Sequence, residues 1–448
     1  MILTLEQERL TDALFYNERP TPADLPPPHI SAVSLAKALY SLPTKPAADA
    51  LIQSFFVSVH PLHPLINTST FQSEYEAFWE WARAGDLLPP QELVRDPTFT
   101  CLLFAILYAG AAVISSPTVD DSSVSRGLDR TKAVIQFENA CSDSLSACLY
   151  LEHPTLNTLV GSILLHTFKQ TESSTQDALF IATTIRLAQS MGLHRENDLP
   201  DLDSTKEQRR QIWWHLVWLD VQTSLSNGLP TCLASSQLDG VQMISAQENS
   251  PVDLLAVGRY ESALLQNKLV NSFQNATSCN GDQITVQKVT ELVGAAKSLG
   301  YLLDSLIGRI PSFQDVEDLL PVNLKEASPR AHLTLYQDEG KSPSVITALA
   351  RTSLLLLKLE VAIMMRKLLL DLPDSISRDA SWNRYVSCYI LTEQSRILRS
   401  RRLTIQQKGS SSCHRPIFAN TCNFVTRQRL SPILGFSQNT MAPSNVLS

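Results

Sequence analysis

The sequence predicts an all-α protein built around one large multi-helix domain. Three observations lead there. Leucine and alanine dominate, and only 15 of 448 residues are glycine. Apolar residues recur every three or four positions, without the alternation of strands. Finally, Ser174–Pro230 reads as two consecutive helices with start and stop signals.

In chain order, residues 1–46 form a proline-bearing N-terminal arm, with Pro20, Pro22 and Pro26-Pro27-Pro28. Within it a short helix starts at Ser31 and stops at Pro43 and Pro46. A helical domain is expected over 47–405. Its first helix, Ala47–Val59, carries Leu51, Ile52, Phe55, Phe56 and Val59 on one face. The segment His60-Pro-Leu-His-Pro makes a rigid exit, because a residue before proline avoids the helical region. Helices follow over Thr70–Arg83, with Tyr75, Phe78 and Trp79, and over Pro97–Ile114, the most apolar run. Further helices are expected over Leu128–Leu149 and Thr155–Phe168.

The next helix opens at Ser174, with Asp177 three residues on as the partner of a capping box. Ala178, Ile181, Ala182, Ile185 and Ala188 form its apolar stripe, and Gly192 ends it. Ser204 and Glu207 open its successor in the same way. There the stripe is Trp214, Val217, Trp218, Val221 and Leu225, and Gly228 and Pro230 stop it. Trp213, Trp214 and Trp218 are three of the six tryptophans, which makes this a core helix. Helices over Ser250–Phe273, Ile284–Ile310, Ser344–Leu370 and Ser381–Arg402 complete the domain, with a loop-rich stretch at 311–343. From about Gln406, residues 406–448 lose periodicity and read as a disordered, low-order tail; an intron read through into the coding sequence produces the same features.

Composition excludes several classes. A net charge of −7 is the wrong sign for a chain that binds DNA over its whole surface, because phosphate neutralisation needs clustered Lys and Arg. No apolar run reaches the roughly 18–20 residues needed to cross a membrane. The eight cysteines are scattered, no secretory signal precedes them, and they read as reduced, apolar packers. Phosphate-binding, dinucleotide, serine-hydrolase and zinc-protease motifs are all missing.

Candidate sites are few. His60 and His63 have a metal-like spacing, but flanking prolines favour a fixed turn. His194 and Arg195 follow a helix end, where a cation favours the dipole or meets a ligand. His215 sits among tryptophans as a core or rim histidine. Asp120-Asp121 falls in a Ser/Pro loop without the third acidic residue that a magnesium-diphosphate site needs. Arg396, Arg399, Arg401 and Arg402 complement a helix C-terminus, or add a nuclear import signal or phosphate contact. No catalytic, cofactor or metal residue is assigned, and no enzymatic activity is expected.

The paired-helix stretch also carries a resemblance. Ile185-Arg186-Leu187-Ala188, Met191-Gly192-Leu193-His194-Arg195, Glu207, Arg209-Arg210, Trp213-Trp214, Leu219-Asp220, Ser224-Leu225, Gly228 and Pro230 stand in order. Upstream stand an aromatic pair, His60-Pro61, Pro64 and Thr70-Phe71. Together these resemble the fungal-specific transcription factor domain, the middle homology region of the fungal zinc-cluster regulators. The resemblance covers roughly Leu42–Leu238 well and reaches Arg402 loosely. Leu229 departs from it, where the family often has Arg.

The resemblance implies a nuclear, pathway-specific regulator of RNA polymerase II transcription, sometimes of secondary metabolism. It also implies possible homo- or heterodimers with a zinc-cluster regulator, and a small-molecule effector. The family's six-cysteine zinc cluster has no counterpart here, since the chain contains no CxxC. Three readings stay open at this point: a cluster supplied by a missing N-terminal module, a DNA-binding partner, or an α-helical enzyme or adaptor without DNA-binding activity of its own.

Overall fold

The computed structural model describes residues 40–84, 98–113, 130–169, 174–196, 203–246, 250–277, 286–311 and 343–370. Among these residues there are ten α-helices and no strand. They are α1 (Lys45–Ser58), α2 (Thr68–Ala84), α3 (Phe99–Val113), α4 (Arg130–Ala147), α5 (Leu156–Phe168), α6 (Ser174–Ser190), α7 (Asp203–Asn227), α8 (Pro251–Thr277), α9 (Val286–Arg309) and α10 (Pro343–Leu370). A single 3₁₀ turn, Ser235–Gln237, lies between α7 and α8. None of the described helices is long and apolar enough to cross a membrane.

The first half is assembled around α3. Every residue from Phe99 to Ala111 is buried, and α1, α4 and α5 pack on it. α2 closes the end of this group with aromatic rings: Phe71 lies 5.7 Å from Phe56 and 5.8 Å from Phe99, centroid to centroid. Pro46, expected to stop an earlier helix, instead lies in the first turn of α1. A missing N–H costs nothing there.

The second half is assembled around α7 and α8, with α6 on α7, and α9 and α10 on α8. α7 differs from expectation. A single apolar stripe was legible, yet Ile212–Trp218 is buried without a break, and Asp220 and Val221 are buried beyond it. The returning segment 229–244 and the proline-rich exit of α1 cover the side that a surface helix gives to water. One continuous core joins both halves.

Two of the helices start slightly earlier than expected. Ser174 is the first helical residue of α6, and Ser204 lies inside α7. Asp177 pairs with His166 of α5 at 3.2 Å, and Glu207 reaches Arg210 at 3.5 Å. A complete capping box forms at α5, where Thr155 and Thr158 satisfy each other's backbone N–H. The glycine stops are observed, with φ of 73° at Gly192 and 65° at Gly228. The short helix at Ser31, the helix at Ser381–Arg402, the tail from 406, Asp120-Asp121 and the arginine cluster lie outside the described residues.

Candidate functional site

A buried polar centre lies where the two halves meet. The exit of α1 carries His60 and His63, α7 carries His215 and Trp218, and α8 carries Arg259 and Tyr260. His63 Nδ1 lies 3.2 Å from His215 Nε2, so one ring donates to the other. The Arg259 guanidinium donates to the Leu62 carbonyl and lies 4.6 Å from the centre of the Trp218 ring, in cation–π geometry. His60 turns away and meets the Ile66 carbonyl at 3.2 Å. The two histidines with metal-like spacing therefore serve different partners. Among the described residues, no group of three or more His, Cys, Asp or Glu is placed to hold a metal ion.

Burial sets the charge state of this centre. It pulls His63 down to about 3, helped by the positive charges of Arg259 and His60. It pulls His60 down to about 4 against the Ile66 hydrogen bond, and His215 well below its ordinary value, with His63 and Arg259 adding to the effect. All three rings are neutral at physiological pH. A guanidinium beside neutral imidazoles and an indole thus lies where the halves meet.

The ordered residues of the paired-helix stretch have structural tasks of their own. At the end of α6, Gly192 allows the turn and Leu193 is buried. The cation that satisfies this end is Arg209 of α7, donating to the Met191 carbonyl at 3.0 Å. Arg195, which the sequence places beside the dipole of this helix end, is exposed, and burial together with Arg195 pulls His194 down. Arg210 grips Glu196 through two bonds, at 2.6 and 3.0 Å. Glu196 in turn accepts from the Gln242 N–H at 2.9 Å, and Trp214 Nε1 donates to the Gln242 carbonyl at 2.9 Å.

Further along α7, Asp220 accepts from the backbone N–H groups of Cys232 and Leu233 at 3.0 and 3.1 Å. Burial pushes its carboxyl up, against those bonds. Ser224 donates to the Pro230 carbonyl at 3.1 Å. From the other side, Asn267 of α8 donates to the Leu233 carbonyl at 2.9 Å and accepts from Ser235 at 2.8 Å. The segment after α7 is thus held between two helices by side chains that replace secondary-structure hydrogen bonds. Leu229 takes part only through its backbone, donating its N–H to the Ser224 carbonyl at 3.0 Å, and its apolar side chain is 43% exposed.

Sequence reasoning missed Arg259, Gln242 and Asn267. A signal for two of them existed in the sequence. Arg259, Ser262 and Gln266 recur at helical spacing on an otherwise apolar face, with Asn267 beside them. Gln242 had none: its two short bonds are made by its backbone, and its side chain adds only an acceptor 3.4 Å from Arg210.

Comparisons with known proteins agree with this geometry. A family model described as the fungal specific transcription factor domain matches residues 52–243. That range begins in α1, takes in the polar exit, and ends just beyond the Gln242 clasp. The chain is 38% identical over 403 residues to a Penicillium terrestre protein named transcription factor macR, covering 84% of this chain and 46% of that protein. It is 39% identical over 372 residues to transcription factor yanR of Aspergillus niger, covering 77% and 44%. A Gibberella zeae protein named aurofusarin cluster transcription factor aurR2 is 32% identical over 187 residues, covering 40% and 25%. The chain therefore spans less than half the length of these relatives. No solved structure matches it.

Proposed function

The chain carries the fungal-specific transcription factor domain, and on that premise we propose that it is a nuclear, pathway-specific regulator of RNA polymerase II transcription for a secondary-metabolite gene cluster. The observation that supports this most is the correspondence between family range and architecture. The α7 side chains Arg209, Arg210, Trp214, Asp220 and Ser224, which clasp α6 and the return after α7, lie inside the matched segment 52–243; Asn267 of α8, which holds the return from the other side, lies beyond it. The relatives' names point the same way, since one is called an aurofusarin cluster transcription factor.

In this reading the helical domain is a rigid regulatory body, and sequence reading on DNA falls to a zinc-cluster module outside these residues. That module sits on a longer form of the polypeptide or on a dimer partner. The net charge of −7 supports such a division of labour, because an acidic body repels the phosphate backbone. An effector shifts such a domain only by binding two of its states unequally.

Gene deletion followed by transcript profiling tests the proposal. The expected outcome is a coordinated change confined mainly to the transcripts of one contiguous biosynthetic cluster. A deletion strain whose transcripts all match the parent would refute it.

A further inference from the structure

A cluster of thiols lies away from the polar centre, where the start of α3 meets the end of α4. Cys101 Sγ lies 3.3 Å from Cys148 Sγ, across 47 residues of sequence. Cys141 Sγ lies 3.8 Å from the Cys101 carbonyl, to which it donates. All three are buried, whereas Cys232 is exposed. None is disulfide-bonded.

We propose that Cys101 and Cys148 are an oxidisable pair that closes into a disulfide in the presence of a hydroperoxide. Two features of the surroundings favour this pair. Cys101 is the third residue of the 15-residue α3, and a helix N-terminus favours negative charge on a reacting sulfur. Cys148 is followed directly by Leu149, whose φ is 49°, a left-handed conformation that a non-glycine residue adopts at a cost. Leu149 and Leu151 are 52% and 55% exposed. The turn that carries Cys148 keeps its backbone hydrogen bonds, yet it combines a left-handed residue with apolar side chains left in water at a helix end, where local opening is easier than within the helices beside it. Opening lets the oxidant in.

The chemistry balances in two steps. One thiolate attacks the peroxide O–O bond, giving a sulfenic acid and, after protonation, one water. The second thiolate attacks that sulfenic sulfur, forms the S–S bond and expels the second water. Two thiols and one hydrogen peroxide become one disulfide and two waters. Cys141 is left out: burial, then the charge of Glu138, push its thiol well up from the ordinary value.

The test uses the full chain, reduced, desalted and treated with hydrogen peroxide. Remaining thiols are then alkylated and the protein is digested without reductant for mass spectrometry. The expected product is a peptide pair linked through Cys101 and Cys148, lost on adding dithiothreitol, retained in Cys232→Ser and absent in Cys148→Ser. The oxidised chain is also expected to unfold roughly 4 °C higher, from the restricted unfolded state. Recovery of Cys101 and Cys148 in alkylated form after peroxide, or their linkage mainly to other cysteines, overturns the proposal. Should Cys148→Ser fail to fold, the peptide map of the unaltered chain decides alone.

Discussion

Asp220 stands in the most buried stretch of α7, where a charge is expensive to keep. It stays because two backbone N–H groups, of Cys232 and Leu233, point at its carboxylate and have no helix or strand to join. Removing the carboxylate leaves both donors buried and unsatisfied, and each such group costs about 1–3 kcal/mol. Asp220→Ala is therefore expected to lose about 3 kcal/mol in urea unfolding, while Asp220→Asn, which keeps an acceptor, loses less. Equal losses in the two variants would show that the oxygen acceptors are not what matters. Arg259 is the same kind of residue with the opposite charge, held by the Leu62 carbonyl and the face of Trp218. Neither residue is recognisable from its neighbours in sequence as the one that fastens a distant loop.

Helix packing sets the next scale, and α1 against α3 is its tightest case. A Cβ on Gly110 would lie 2.2 Å from the Leu51 carbonyl oxygen. Backbone cannot yield as a flexible side chain does. Helix propensity alone would make Gly110→Ala stabilising by roughly 1 kcal/mol. Overpacking in a dense core costs typically 1–3 kcal/mol, and a backbone clash lies at the upper end. A net loss of about 2 kcal/mol is the expected outcome. In α9, a Cβ on Gly294 meets nothing within 4 Å among the described residues, so Gly294→Ala is expected to raise the unfolding midpoint. Measuring both by chemical denaturation makes the sign itself the test: if both variants are stabilised, α1 and α3 pack less closely than described. The exposed Arg210–Glu196 clasp acts on the same scale but differently. It fixes where the chain leaves α6, and solvent screening keeps its contribution small.

The molecule as a whole records the neutral histidines as a pH dependence. In the unfolded chain, His60 and His63 titrate near 6.5; in the fold, burial holds them down to about 4 and about 3. Because the folded values are depressed, the unfolded chain takes up protons first as pH falls. The stability linked to these groups is fully present above pH 6.5 and drains away between about 6.5 and 3. Each such histidine contributes a slope of up to about 1.4 kcal/mol per pH unit in that window. A Tm measured from pH 7.5 to 4.5 is expected to stay level at first and then fall below about pH 6.5. His63→Gln should start lower and fall less steeply. Parallel curves for the two proteins would show that His63 is not the group being titrated. The same centre joins the two halves of the helical body, so mild acid is expected to loosen the contact between them before the interior of α3 is exposed.

By itself the sequence determined the helices of the described residues. Their apolar periodicity, the glycine stops at Gly192 and Gly228, and the tryptophans of α7 are local signals, and local signals carry the 3.6-residue repeat of one face. It also determined the family resemblance, since Arg209, Arg210, Trp214, Asp220 and Ser224 stand at readable positions along one helix. Only the tertiary structure decided what those residues do. Arg209 caps α6, because α7 folds back within reach of the Met191 carbonyl. Asp177 pairs with His166, because α5 lies alongside. His60 and His63 part company, because α7 and α8 offer His63 a neutral partner in a dry interior. Cys101 and Cys148 meet across 47 residues only when α3 and α4 pack. The physical reason is common to all of these: a hydrogen bond or a thiol contact depends on distance in space, whereas periodicity and caps depend on distance along the chain.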